Sequence, residues 1–405
     1  MNKEQNLNIR WVYLVLGVVA LLFGGIIYAW SILRSPLQAE FGWTGDQMAL
    51  NFTLTMSTFC LGGFLGGNMA KKLGGKVTLV IAAVLACAGF VLGTGMNSVA
   101  MLYLTYGVMS GLGIGIAYNV IISTIGAWFP DKKGLSSGIM MMGFGASSLV
   151  LGSVASGLIN GPGWRTCFTV LGIGNGVILL ILAFVLKRPG ADVVLPQPER
   201  KAGKAGGDDV QGLELTPGEM VRRPTFWLAF LYLVTMSAVG NTTISFTKQL
   251  AESVGAATAL ATTMVGVLSV CNGLGRLMYG ALFDSLGRKK TMLISNIVAI
   301  AAASVTLLSV VTKSVPLCVV GLVITGVSYG AGPTISPSLV NVFYGQKNFP
   351  VNFSVMNFNL MGASIMATVA SKIQTAAGGG FVAPMIFLVC LSVVSLFLQL
   401  SVKRP

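Results

Sequence analysis

Histidine is absent from the 405 residues, and charged residues of either sign are sparse. Without an imidazole the chain has no His-based metal site, no His proton relay and no Ser/His/Asp triad. Only 9% of the residues are charged, and 12 Asp and Glu stand against 26 Lys and Arg. We therefore expect no enzymatic activity, no metal and no cofactor.

The cysteines are few and isolated, and no CxxC pair occurs. All six lie in or beside apolar stretches: Cys60, Cys87, Cys167, Cys271, Cys318 and Cys390. This pattern favours small buried thiols over a disulfide or a metal site.

Apolar residues and glycine are abundant instead. Apolar residues make up 54% of the chain, there are 52 glycines, and the mean hydropathy is +0.81. Stretches of about 20 residues without solvated charge predict an all-α, multi-pass protein embedded in a lipid bilayer. Twelve spans are predicted: 11–33, 46–69, 78–97, 101–126, 135–159, 164–186, 225–247, 257–282, 290–311, 315–341, 352–376 and 381–402.

Lys and Arg fall in the short connections between these spans and not on an amphipathic face, so we expect no nucleic acid partner. If the N-terminus is inside, twenty of these cations lie on the cytoplasmic side. Five lie outside: Arg34, Arg165, Lys248, Lys313 and Lys372. The positive-inside rule then predicts that both termini are cytoplasmic and that the protein resides in the cell (inner) membrane.

The longest polar stretch, 187–223, is rich in Pro, Gly and charge and predicts a linker between two six-helix bundles, 1–186 and 224–405. The two halves carry similar motifs, "GNMAKKLGGKVTL" from Gly67 and "GALFDSLGRKKTM" from Gly280. Two parallel repeats predict a substrate site at their interface near the bilayer midplane, with access that alternates between the two sides.

These motifs resemble the signature loop of the major facilitator superfamily, although Lys71 stands where the second motif has Asp284. Three further stretches resemble the oxalate/formate antiporter group, which is related to the monocarboxylate transporters: "YAWSILRSPL" (28–37), "WFPDKKGLSSG" (128–138) and "EMVRRPTFW" (219–227). The resemblance implies the major facilitator fold and the transport of small carboxylates.

Arg276 is the one strong charge that the sequence places well inside a span. Side chains on a helix lean toward its N-terminus, here the outer side, which opposes snorkelling to the cytoplasm. A centrally placed Arg costs about 2.5–3.5 kcal/mol on insertion scales and usually faces a cavity and a partner. Because no carboxylate is predicted at this depth, an anionic substrate is the expected partner, held by two parallel hydrogen bonds.

Asn272 lies one helical turn before Arg276 and is predicted to contact the same ligand; an interhelical hydrogen bond is the alternative. The resemblance places Tyr28, Tyr118 and Tyr329 toward the cavity, where each hydroxyl could bind a carboxylate. The alternative is an aromatic belt at the membrane interface. Four tyrosines nearer the span ends are assigned to that belt: Tyr13, Tyr103, Tyr106 and Tyr232.

The predicted eleventh span bears on the substrate. In the resembled group, oxalate exchangers carry a lysine there, whereas this chain has Leu360 within "NFSVMNFNLMGASIM" (352–366). A dianion facing a single buried cation would keep an unpaired charge in a low-dielectric cavity, which is costly. The sequence therefore favours a lactate- or pyruvate-like monocarboxylate over oxalate.

Coupling is less defined. Related monocarboxylate transporters typically have an Asp where this chain has Asn272, so the sequence offers no evident proton carrier. Family tendency favours proton-coupled transport, and exchange of the substrate for a counter-anion is the alternative. A drug exporter and a transport-dead sensor are the less favoured alternatives. The first would be expected to carry an acid within the membrane and the second an added soluble domain, and the sequence predicts neither feature.

Overall fold

The computed structural model describes residues 8–129, 131, 133–190, 193, 195–196, 213–345 and 348–402. About half of the predicted linker, 187–223, lies outside the described residues. Within them, eleven helices are long and apolar enough to cross a membrane, and one of these, Gly45–Gly93, is 49 residues long. Gly74 interrupts this helix at φ 81° and ψ 157°, so it contains two crossing segments. The all-helical membrane architecture predicted from the sequence is confirmed.

We number the crossing segments of the described residues in chain order. They are α1 (Ile9–Phe41), α2 and α3 (Gly45–Gly93, divided at Gly74), α4 (Val99–Gly126), α5 (Gly138–Asn160), α6 (Trp164–Val185), α7 (Pro224–Ser253), α8 (Thr258–Phe283), α9 (Ser285–Thr312), α10 (Val315–Tyr344), α11 (Val351–Ala376) and α12 (Val382–Ser401). We call the side on which α1 begins and α12 ends the termini side.

The two repeated motifs make the same turn on the termini side. Gly74 and Gly287 occupy equivalent positions in them, and both have positive φ (81° and 74°) with extended ψ (157° and 173°). Residues other than glycine seldom adopt this backbone conformation. One helical turn later, Thr78 and Thr291 donate hydrogen bonds from Oγ1 to the carbonyls of Gly74 and Gly287, at 2.8 and 2.9 Å.

Glycines let several helices pack backbone against backbone, as small residues do in membrane bundles. A Cβ atom at Gly330 of α10 would lie 2.5 Å from the amide nitrogen of Arg276 in α8. A Cβ atom at Gly145 of α5 would lie 3.3 Å from the Cα atom of Gly273 in α8. Helices α5, α8 and α10 therefore meet closely around Arg276.

The first helix is longer than the sequence indicated. It continues through Pro36 to Phe41 and is capped by Gly42, which has a left-handed conformation (φ 68°) and donates its N–H to the carbonyl of Gln38. Arg34, expected in an outer connection, is therefore inside α1 and only 3% exposed. The prediction ended the span at its first charge, but the helix ends only where the backbone reverses.

The aromatic belt prediction is wrong for three of its four tyrosines. Tyr13, Tyr106 and Tyr232 are 5%, 1% and 0% exposed, so they pack between helices. Tyr106, for example, stacks on Trp30 with ring centroids 4.9 Å apart. Position near a span end did not identify the face of the helix on which each ring lies.

Candidate functional site

Arg276 is buried in the contact between α8 and α5, with 4% of its surface exposed. Its Nε donates to Oδ1 of Asn272 at 3.3 Å, and its Nη1 donates to the carbonyl of Met141 in α5 at 3.3 Å. The side chain thus folds back toward the N-terminus of its helix, as the direction of helical side chains requires. Among the described side chains, which do not include Asp284, no carboxylate pairs with it.

The backbone around Arg276 is fixed by α10. The hydroxyl of Thr334 donates to the Arg276 carbonyl at 3.2 Å and to the Gly330 carbonyl at 3.0 Å. Together with the close approach of Gly330, these bonds hold the Cα of Arg276 in place.

Asn272 is fully buried, and its two amide atoms differ in their bonding. The Oδ1 atom accepts from Arg276, whereas Nδ2 has no hydrogen-bond partner within the described residues. A buried donor without a partner costs free energy, so a ligand that accepts from it would be stabilised. The structure brings Asn272 and Arg276 together as the sequence predicted, and it leaves a donor of each available: Nη2 of Arg276 makes no hydrogen bond within the described residues.

Tyr28 and Tyr329 face each other from α1 and α10, with ring centroids 6.1 Å apart in an edge-to-face arrangement. The Tyr329 hydroxyl donates to Oδ1 of Asn241 in α7 at 2.6 Å. Asn241 in turn donates from Nδ2 to the carbonyl of Leu360 in α11 at 3.4 Å. Tyr329 is thus a member of a polar chain that joins α10, α7 and α11.

Tyr118 of α4 belongs to the same region through aromatic contacts. Its ring lies 5.2 Å from Phe59 and 5.1 Å from Phe144, and Phe144 lies 5.4 Å from Tyr28. Tyr118 is therefore connected to Tyr28 through Phe144, and Tyr28 contacts Tyr329, while Gly330, the residue after Tyr329, packs against the backbone of Arg276. We call the five residues predicted from the sequence, linked by these contacts, the Arg276 cluster.

Sequence reasoning missed two polar residues near this cluster. Asn241 is fully buried in the middle of α7, and the signal for it was a polar run, "GNTT", inside an apolar span. Arg34 lies six residues beyond Tyr28 in α1, roughly 9 Å along the axis at 1.5 Å per residue. It donates from Nη1 to the carbonyl of Ser245 in α7 at 3.2 Å and lies 5.4 Å from the ring of Phe246.

Comparison with known proteins agrees with this architecture. A family model described as Major Facilitator Superfamily matches residues 15–370. The oxalate:formate antiporter of Oxalobacter formigenes is 25% identical over 385 residues, which cover 92% of this chain and 89% of that protein. Monocarboxylate transporter 12 of Mus musculus is 31% identical over 159 residues, covering 39% of this chain and 32% of that protein.

Solved structures are similar at lower identity. The xylose transporter XylE from E. coli, in a partially occluded inward open conformation, superimposes with a TM-score of 0.72 at 14% identity and covers 96% of both chains. At this identity the likeness concerns the fold alone.

Proposed function

Because the chain belongs to the Major Facilitator Superfamily, we propose that it transports small monocarboxylates such as lactate or pyruvate, and that Arg276 binds the substrate carboxylate. The resemblance drawn from the sequence motifs is confirmed at the level of the family, whose matched relatives include an oxalate:formate antiporter and monocarboxylate transporters. The observation that carries the substrate proposal is a buried guanidinium with no carboxylate partner among the described residues, beside the unpaired Nδ2 of Asn272.

In this proposal the substrate carboxylate accepts from the Nη atoms of Arg276 and from Nδ2 of Asn272. The Nη1 atom now donates to the Met141 carbonyl, so a bound carboxylate replaces a weak neutral acceptor with a charged one. The hydroxyls of Tyr28, Tyr118 and Tyr329 complete the polar side of the site. Their rings, with Phe144, enclose the short apolar part of the substrate.

The proposed movement is a rocking of two bundles, 1–186 and 224–405, joined by the linker 187–223. Contacts between α5 and α8 and between α2 and α11 then lie at the interface of the bundles, with the site between them. The matching turns at Gly74 and Gly287 support the two-repeat arrangement. The excess of Lys and Arg on the termini side supports cytoplasmic termini and a place in the cell membrane.

The preference for a monocarboxylate is supported by the charges available. Leu360 stands where the resembled oxalate exchangers have a lysine, and its carbonyl is already engaged by Asn241. Arg34, another buried cation, donates to the Ser245 carbonyl of α7 rather than to the cluster. One cation at the site suits one carboxylate.

We propose that transport is proton-coupled. Anion exchange is the second candidate, favoured by the similarity to the oxalate:formate antiporter along 92% of the chain. No titrating carboxylate contacts Arg276 within the described residues, and a symporter would then carry its proton elsewhere or on the substrate.

Uptake of labelled lactate, formate and oxalate into proteoliposomes distinguishes these functions. An inward proton gradient should drive lactate accumulation with no anion inside the vesicles. Uptake that depends on an internal anion, and not on the gradient, would replace symport by exchange. Uptake of oxalate in preference to lactate would overturn the monocarboxylate proposal, and empty liposomes give the background.

A further inference from the structure

A cavity separate from the Arg276 cluster lies on the termini side, beneath the Gly74 turn. Its volume is about 320 Å³. Its walls come from the turn between α2 and α3, from α4, and from the chain that follows α6. Leu79, Val120 and Leu186 form an apolar part of the wall, and Lys76, Lys187 and Arg188 contribute three cations.

These cations are not neutralised by the protein that the structure describes. None of the described lining residues is acidic, and none of the three cations forms an ion pair with a described carboxylate. The frame that carries them is nevertheless defined. Trp128 donates from Nε1 to the Lys187 carbonyl at 2.7 Å, and Nζ of Lys76 lies 4.2 Å from the ring centroid of Phe184.

The surroundings of the cavity place it at the edge of the apolar surface. Phe184, Val77 and Leu73 beside it are 62%, 47% and 51% exposed, as expected of side chains that face lipid. The cations begin where this apolar surface ends. We expect a basic recess at the end of this apolar surface to lie at the height of phospholipid head groups.

We propose that this cavity binds a phosphate group, supplied by the head group of an acidic phospholipid such as phosphatidylglycerol. Arg188 offers a planar fork suited to phosphate oxygens, while Lys76 and Lys187 act as point charges. The apolar wall receives the glycerol and the first part of an acyl chain. Free inorganic phosphate has the same binding chemistry and is the second possible source of the group. The site is independent of the transported substrate.

Native mass spectrometry of the full chain in detergent tests the proposal. The double variant Lys187→Gln, Arg188→Gln removes two of the three cations, which should weaken phosphatidylglycerol binding by roughly thirty-fold. The matched control is Lys289→Gln, Lys290→Gln, which removes two exposed cations at the equivalent turn of the second motif. The control should retain phosphatidylglycerol as the unaltered chain does, and phosphatidylcholine should be lost from all three proteins.

The proposal would be overturned if the two double variants retained phosphatidylglycerol equally. This holds whether or not they also retain phosphatidylcholine. Melting temperatures without lipid establish that the variants are folded. Inorganic phosphate at millimolar concentration then separates the sources. Displacement of the bound lipid by phosphate would show that the free ion shares the site, and lipid that stays bound would assign the site to the head group alone.

Discussion

A buried guanidinium in a membrane protein must find acceptors for its donors, because hydrocarbon offers none. Arg276 finds one on its own helix and one on the backbone of α5, both uncharged. Neutral acceptors leave the positive charge itself uncompensated. An anion bound beside the guanidinium would compensate this charge, and this is the physical basis for proposing that Arg276 binds the substrate.

Substitution of Arg276 by Lys keeps the charge and removes the planar fork. We expect lactate uptake to fall close to background, since a single ammonium cannot reach the Met141 carbonyl, Asn272 and a carboxylate in the same geometry. Uptake into proteoliposomes measures the loss. Arg165→Lys is the matched control, because Arg165 is exposed and pairs with Glu40, and both residues are far from Arg276 in the sequence. The control should transport normally. Uptake by Arg276→Lys equal to that of the control would contradict the assigned role.

Removal of the Tyr118 hydroxyl is a cleaner test of the polar side of the site than removal of the Tyr329 hydroxyl. Tyr329 donates to Asn241, so its removal would also strand a buried acceptor. Tyr118→Phe should weaken substrate binding by roughly ten-fold or more, as expected when a hydrogen bond to a charged group is lost. Binding is measured by the rise in melting temperature with lactate.

Tyr106→Phe is the control for this experiment, because the Tyr106 hydroxyl is buried without a partner among the described residues and packs against Trp30, away from the cluster. Its lactate affinity should be unchanged. If Tyr118→Phe binds lactate as tightly as this control, Tyr118 is a packing residue.

At the scale of helices, the sequence predicted the spans well because an apolar run of about 20 residues without charge is the signal for a membrane-spanning helix. It did not predict where α1 ends, because it ended the first span before Arg34, a residue that lies inside the helix. It also misassigned Tyr13, Tyr106 and Tyr232, whose orientation depends on neighbouring helices. Residues on one helix, such as Asn272 and Arg276, were paired correctly because helical spacing alone sets their contact.

Contacts between helices required the structure. The chain from Tyr329 through Asn241 to Leu360 joins three helices that are distant in sequence, and no spacing rule connects them. The approach of α10 to Arg276 is of the same kind, because it depends on the absence of a side chain at Gly330.

Gly330→Ala should therefore disturb the site without touching a substrate group. Its Cβ would lie 2.5 Å from the Arg276 amide nitrogen, so α8 and α10 must separate. Overpacking of this kind costs about 1–3 kcal/mol, and the melting temperature in detergent should fall. Gly157→Ala is the control, since nothing lies within 4 Å of a Cβ there. Equal melting temperatures for the two variants would contradict the close packing of α8 and α10.

At the scale of the whole molecule, several contacts join the proposed bundles on the side opposite the termini. Arg34 donates to the Ser245 carbonyl, and Gln249 donates to the Ser31 carbonyl at 3.1 Å. The hydroxyl of Ser371 in α11 donates to Asp46 at the start of α2 at 2.7 Å. Exposure of the site on that side requires these contacts to break.

A disulfide between α2 and α11 should arrest this movement. The hydroxyl oxygens of Thr53 and Thr368 lie 2.8 Å apart, so cysteine sulfurs at these positions would be close enough to bond. In a background with the exposed Cys390 replaced by Ser, we expect Thr53→Cys, Thr368→Cys to lose lactate uptake on oxidation and to regain it on reduction. Each single cysteine variant should be insensitive to the oxidant. Full uptake by a completely cross-linked protein would show that α2 and α11 need not separate there during transport.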